Sequence, residues 1–115
     1  AEDDEAIRNL TVRILQRYGY SVVAAEDGED ALVKFGQYKG RIDLILLDVI
    51  MPKKNGKAVY DELKETSPDI KVLFMSGYTA DIIHKKGVFQ EDINFLFKPI
   101  TPDTLLLKVR DVLDG

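Results

Sequence analysis

The stretch Leu44-Ile45-Leu46-Leu47-Asp48-Val49-Ile50-Met51-Pro52 decides the reading of this chain. Four consecutive apolar residues have the pattern of a strand covered on both faces. The ionisable Asp48 directly after them marks where that strand leaves its sheet. In open α/β sheets, ligands bind along that carboxyl edge. Two other apolar runs close in the same way: Val72-Leu73-Phe74-Met75 ends at Ser76, and Phe95-Leu96-Phe97 ends at Lys98-Pro99. The acidic cluster Glu2-Asp3-Asp4-Glu5 precedes a helical pattern. Three carboxylates, a hydroxyl and a lysine at strand ends suit a divalent metal and a phosphoryl group.

Working outward, helical and strand patterns alternate. Residues 4–18 read as a helix with Ile7, Leu10, Ile14 and Tyr18 on one face, stopped at Gly19. Residues 21–25 read as a short strand. A helix starting at Asp27-Gly28 turns Ala31, Leu32, Phe35 and Tyr38 inward, and Gly40 breaks it. Strand 42–47 leads to a loop from Pro52 to Gly56. Helix 57–66, with Val59, Tyr60 and Leu63 inward, stops before Pro68. Strand 70–75, a loop at 76–79, a short helix at 80–86 and strand 93–97 follow. Pro102 fits a first helical turn, and helix 103–113 closes the pattern. Repeated β-α units of this length predict an α/β fold: a doubly wound, parallel, five-stranded sheet in the flavodoxin-like order 2-1-3-4-5. The pattern nevertheless opens with a helix, and the acidic cluster resembles the end of a strand whose last residue is Ala1. The expectation is that about five further apolar residues precede Ala1 in the natural chain. Without that central strand, 21–25 and 42–47 face a hole.

Composition narrows the function classes. With 115 residues, the chain reads as one domain over 1–115. Sixteen basic against 20 acidic residues give a net charge of -4, and the sequence pI is ≈ 5.0. That balance argues against direct nucleic-acid binding, since no basic excess is present to neutralise phosphates. The lack of cysteine removes disulfides, thiolate metal sites and a cysteine nucleophile, and fits a reducing, cytoplasmic setting. No apolar stretch approaches membrane-span length, so no membrane contact is expected.

The chain resembles the receiver domain of two-component response regulators. The resemblance rests on Glu2-Asp3, Asp48 with Met51-Pro52 and Gly56, Ser76-Gly77, and Lys98-Pro99, in family order and spacing. It implies Mg²⁺-dependent phosphorylation of Asp48 by a phosphohistidine donor on a histidine kinase or a histidine phosphotransfer domain. It also implies that Asp3 and Asp48 ligate Mg²⁺ (or Mn²⁺), that the Ile50 backbone carbonyl adds a ligand, and that Glu2 acts directly or through water. Lys98, the Ser76 hydroxyl and the Gly77 backbone N–H would hold phosphoryl oxygens. Asp4 and Glu5 read instead as favourable charges at a helix N-terminus.

The resemblance further implies a switch formed by Ser76 and Phe95. The output face, for a downstream protein or output domain, would span 80–113. On the last helix Leu105, Leu106, Val109, Val112 and Leu113 share an inward stripe, which leaves Leu107 exposed. Ile50 and Tyr78, two residues after Asp48 and Ser76, would shield an acyl phosphate from water. His84, the single histidine, reads as a solvated helix end beside Lys85-Lys86. Three rival readings are weaker. A phosphorylation-independent pseudo-receiver would not need Asp48, Ser76 and Lys98 together. A metal-dependent phosphatase would want a second Asp where Ile50 stands. A flavodoxin-like nucleotide binder would want a glycine-rich phosphate loop. The segments 75–79 and 109–113 resemble receivers that close hybrid sensor kinases.

Overall fold

The structure is a computed structural model and describes residues 1–38, 40–51, 53–76 and 94–115. Among the described residues seven elements are formed: α1 (Glu5–Arg17), α2 (Gly28–Gln37), β1 (Leu44–Asp48), α3 (Gly56–Thr66), β2 (Lys71–Ser76), β3 (Asn94–Phe97) and α4 (Pro102–Asp114). The strands make a parallel sheet in the order β1-β2-β3, with Asp48 beside Met75 and Ser76 beside Phe97. These correspond to the third, fourth and fifth strands of the expected order. The short helix at 80–86, with Tyr78 and His84, lies outside the described residues.

Local chemistry starts each helix. Asp4, Asp27, Asn55 and Thr101 each accept a hydrogen bond from a backbone N–H in the first turn. Pro102 stands in the first turn of α4, as its fixed φ favours. Gly19 ends α1 with a φ of 92°, a conformation that glycine adopts without steric cost.

Strand alternation then splits the core into two layers. Leu47, Val72 and Phe74 pack with Val59 and Leu63 of α3, with Leu32 and Phe35 of α2 at the margin. Leu73 and Leu96 pack on the other face with Ile14 of α1 and Leu105, Val109 and Val112 of α4. Burying a side chain of this size contributes about 1.5–3 kcal/mol, so these two layers carry the fold.

Three expectations need correction. Residues 21–25 carry no strand pairing. Of this stretch Ala25 meets a backbone partner, accepting from the Glu2 N–H at 3.0 Å. Leu10 and Tyr18 do not face inward: they are 46% and 61% exposed, and Thr11 and Ile14 are the buried residues of α1. Tyr38 caps α2 and is also exposed, because the helix ends at Gln37 before its ring can return to the core. The inward stripe of α4 holds, and Leu107 is 73% exposed. A cavity lies between residues 21–25 and β1.

Candidate functional site

Parallel pairing brings the ends of β1, β2 and β3 to one edge. Asp48 is the last residue of β1 and Ser76 the last of β2. Lys98 follows β3 directly, and its N–H donates to the Ser76 carbonyl at 2.8 Å. Ala1 and Glu2 join them by backbone bonds: Asp48 N–H donates to the Ala1 carbonyl at 3.0 Å, and Glu2 N–H donates to the Ala25 carbonyl. Gly56 locks the loop beneath. Its N–H donates to the Val49 carbonyl at 2.9 Å, and a Cβ there would stand 2.3 Å from the Asp48 carbonyl oxygen. Only glycine permits that approach.

The result is a cleft of ≈ 400 Å³ lined by Glu2, Asp3, Asp4, Ile7, Asp48, Val49, Ile50, Ser76 and Lys98. Glu2, Asp48 and Ser76 are buried, with relative exposures of 2%, 5% and 1%. One carboxylate oxygen from each of Glu2, Asp3 and Asp48 lies within 4.8 Å of the others. Lys98 Nζ sits against both buried carboxylates, 3.0 Å from Glu2 Oε2 and 3.2 Å from Asp48 Oδ2. Glu2 Oε1 accepts from the Asp4 N–H at 3.1 Å. Glu2 Oε2, in contrast, is ion-paired to Lys98 but accepts no well-formed hydrogen bond.

The electrostatics follow from this crowding. Burial pushes the Glu2 carboxyl above its ordinary pKa, and the Asp48 charge adds to the rise against the opposing hydrogen bonds from Asp4 and Lys98. Burial works against the Lys98 ammonium, but the carboxylates of Glu2 and Asp48 outweigh it and raise its pKa. Burial also lowers the pKa of the Ala1 amine, which donates to the Leu46 carbonyl at 2.7 Å, to about 6.

Every expected site residue within the described set reaches this cleft except Phe95. Gly77 lies outside the described residues. Phe95 is half-buried on β3, its ring 5.7 Å from Phe74 and 5.8 Å from Phe97, in an aromatic row that starts at Tyr60. Ile50 lines the cleft with its side chain 54% exposed. Asp4 and Glu5 hold the helix-start role read for them: Asp4 caps α1 and Glu5 lies in its first turn. Sequence reading did not single out Ile7 or Val49 as walls of the cleft. Their signal was position, one turn into the helix after the acidic cluster and one residue past Asp48. Nor did it anticipate that Lys98 would clamp Glu2 as well as Asp48.

The donor set fits a hard divalent cation. Carboxylate oxygens are the ligands such ions take, and Glu2, Asp3 and Asp48 bring three of them within 4.8 Å of one another. Among the described residues no helix is long and apolar enough to cross a membrane.

Residues 1–110 match the family model of the response regulator receiver domain. The sensor kinase CckA of Brucella abortus is 36% identical over 98% of this chain, which covers 12% of that protein. The uncharacterized transcriptional regulatory protein YbdJ of Bacillus subtilis is 34% identical over 98% of this chain and 48% of its own length. The chain thus spans about half, or much less, of these relatives. Among solved structures, the receiver domain of the hybrid histidine kinase CckA superposes with a TM-score of 0.81 at 35% identity, covering 97% of this chain and 94% of that one. The chemotaxis protein CheY4 of Vibrio cholerae superposes with a TM-score of 0.84 at 30% identity, covering 96% and 92%. Buried acidic residues, a strand-end aspartate and a lysine on one edge of a parallel sheet agree with these likenesses, and the chain belongs to the response regulator receiver domain family.

Proposed function

We propose that this domain is the phosphoacceptor of a two-component phosphorelay and that Asp48 takes the phosphoryl group. The observation that carries this reading is the buried Asp48 carboxylate held at 3.2 Å from Lys98 in a cleft that also gathers Glu2, Asp3 and Ser76. An Asp48 oxygen attacks phosphorus of a phosphohistidine. The new O–P bond forms as the N–P bond breaks, and the imidazole leaves with the electron pair. Little else is demanded of the protein, because such transfers depend on positioning and on cations near the transferring oxygens.

Lys98 supplies one cation to a phosphoryl oxygen, and the Ser76 hydroxyl and Gly77 N–H hold others. Glu2, Asp3, Asp48 and the Ile50 carbonyl would hold Mg²⁺ (or Mn²⁺). When bound, that ion supplies charge neutralisation for the incoming phosphoryl group. The Ile50 side chain at the rim screens the acyl phosphate from water.

The donor is a histidine kinase or a histidine phosphotransfer domain, and the domain works as part of a longer regulator or hybrid kinase. Phosphorylation pulls the Ser76 loop toward the new charge, Phe95 turns inward, and the 80–113 face changes its fit to a downstream protein or output domain. The exposed Phe97 and Leu107 belong to the described part of that face.

The test is intact mass after incubation with acetyl phosphate and Mg²⁺, on this chain and its Asp48→Asn variant. One added phosphoryl group in the parent alone, lost in chelator, is expected. No gain in a folded, Mg²⁺-binding parent would overturn the reading and favour a phosphorylation-independent interaction module.

A further inference from the structure

Asp27 is a buried carboxylate that the phosphoacceptor reading leaves unused, with 5% of its surface exposed. Its Oδ1 caps α2 by accepting from the Asp30 N–H at 2.8 Å. A cap needs only that one acceptor, and a neutral serine or asparagine supplies it as well. The second oxygen has another partner. Asp27 Oδ2 lies 3.6 Å from the ammonium of Lys53, in the loop that follows Asp48. A buried charge is costly unless such a partner offsets it.

Gly28, the next residue, meets the same loop. It is buried at the start of α2, and a Cβ there would stand 2.7 Å from the Lys54 carbonyl carbon and closer still to its oxygen. Only glycine lets the two backbones approach so closely. The loop is fixed at other points too. The Val49 N–H donates to the Met75 carbonyl at 3.0 Å, Met51 is buried in the core layer of α3, and Asn55 caps α3. Ile50 lies in the short span between these anchors. Lys53 stands in the left-handed region with a φ of 66°, which a residue with a side chain adopts at a cost. Surrounding contacts must hold such a residue in place, and its contact with Asp27 is one of them.

We propose that Asp27 and Gly28 are positioning residues for the metal site. Through Lys53 and Lys54, the start of α2 sets how the loop after β1 lies over the sheet edge, and with it the Ile50 carbonyl. The inference rests on the phosphoacceptor reading, in which that carbonyl holds Mg²⁺. Neither residue lines the cleft. Each acts through the loop's backbone, as outer partners orient the ligands of a metal.

The test measures Mg²⁺ binding by calorimetry, with urea midpoints in EDTA, on the parent, Gly28→Ala, Lys53→Met and Gly36→Ala. Gly36 lies in the same helix with open space around it, so its variant controls for the added methyl and should bind Mg²⁺ as the parent does. Gly28→Ala is expected to weaken Mg²⁺ binding by about tenfold, the usual size when a ligand loses its supporting partner. Saturating Mg²⁺ should then restore its phosphoryl uptake from acetyl phosphate, since Asp48 and Lys98 are untouched. Lys53→Met is a test of sign. By charge alone, removing a cation would tighten Mg²⁺ binding, whereas a loosened loop weakens it. Weakening of about two- to fivefold is expected, in keeping with an exposed ion pair. Parental affinity in Gly28→Ala overturns the proposal, as does uptake that stays slow at saturating Mg²⁺. Unchanged or tighter binding in Lys53→Met also overturns it, and that variant decides the matter if Gly28→Ala does not fold. A parent that takes up neither Mg²⁺ nor a phosphoryl group would overturn the phosphoacceptor reading itself, and this inference with it.

Discussion

Replacing Lys98 with methionine tests the electrostatic design of the cleft. The substitution keeps most of the side-chain volume and removes the ammonium that Glu2 and Asp48 share. These carboxylates are almost entirely buried, and their nearest oxygens lie within 4.8 Å of one another. At that separation two unit charges repel by about 3.5 kcal/mol at an effective dielectric near 20. Breaking a buried ion pair by removing one partner costs about 3–5 kcal/mol in general, so the two figures agree in size. For a domain of ordinary stability, about 5–15 kcal/mol, that is a large fraction. The assay is urea unfolding in EDTA and in saturating Mg²⁺. In EDTA the Lys98→Met midpoint should fall by the equivalent of about 3–5 kcal/mol. Mg²⁺ at 100 times its dissociation constant stabilises a single-site protein by about 2.7 kcal/mol. At equal free Mg²⁺ the variant should gain more than the parent, because the ion no longer competes with Lys98. Lowering the pH should narrow the gap in EDTA, because Glu2 already binds its proton more readily than an ordinary glutamate. A variant as stable as the parent in EDTA, or one gaining no more from Mg²⁺, would refute the reasoning.

Other outcomes follow from the same structure. Gly56→Ala drives a methyl group into the Asp48 carbonyl and should cost about 1–3 kcal/mol and slow phosphoryl uptake. Gly36→Ala, in α2 with nothing within 4 Å of the new Cβ, should stabilise by about 0.4–1 kcal/mol; paired urea midpoints check both. Ile50→Asn should shorten the phosphoryl lifetime several-fold, followed by intact mass against time; a parent that decays faster than the variant contradicts the screening role.

Much of the site was legible because its residues sit at punctuation marks. Asp48, Ser76 and Lys98 each follow an apolar run directly, and a run of that kind has few ways to fold other than as a buried strand. Cover on both faces was legible for β1 in the same way, although only Leu47 and Asp48 of that strand are fully buried. The helix faces were less so. Leu10 and Tyr18 fit the period of α1 as well as Thr11 does, yet only the placement of the sheet decides which stripe meets it. Strand 21–25 could not be settled locally, because a strand is defined by its neighbour rather than by its own pattern.

The sequence by itself determined the order of the described helices and paired strands, the helix starts at the acidic cluster before α1 and at Asp27, and the set of residues that meet at the carboxyl edge. These depend on short-range chemistry: apolar runs, caps and the positions of glycine and proline. Only the tertiary structure decided that Lys98 bridges Glu2 and Asp48 and that Asp3 brings a third carboxylate within 4.8 Å of theirs. Those features join residues as many as 96 positions apart, Glu2 and Lys98 among them. Their distances are set by the packing of two core layers, which no local pattern encodes.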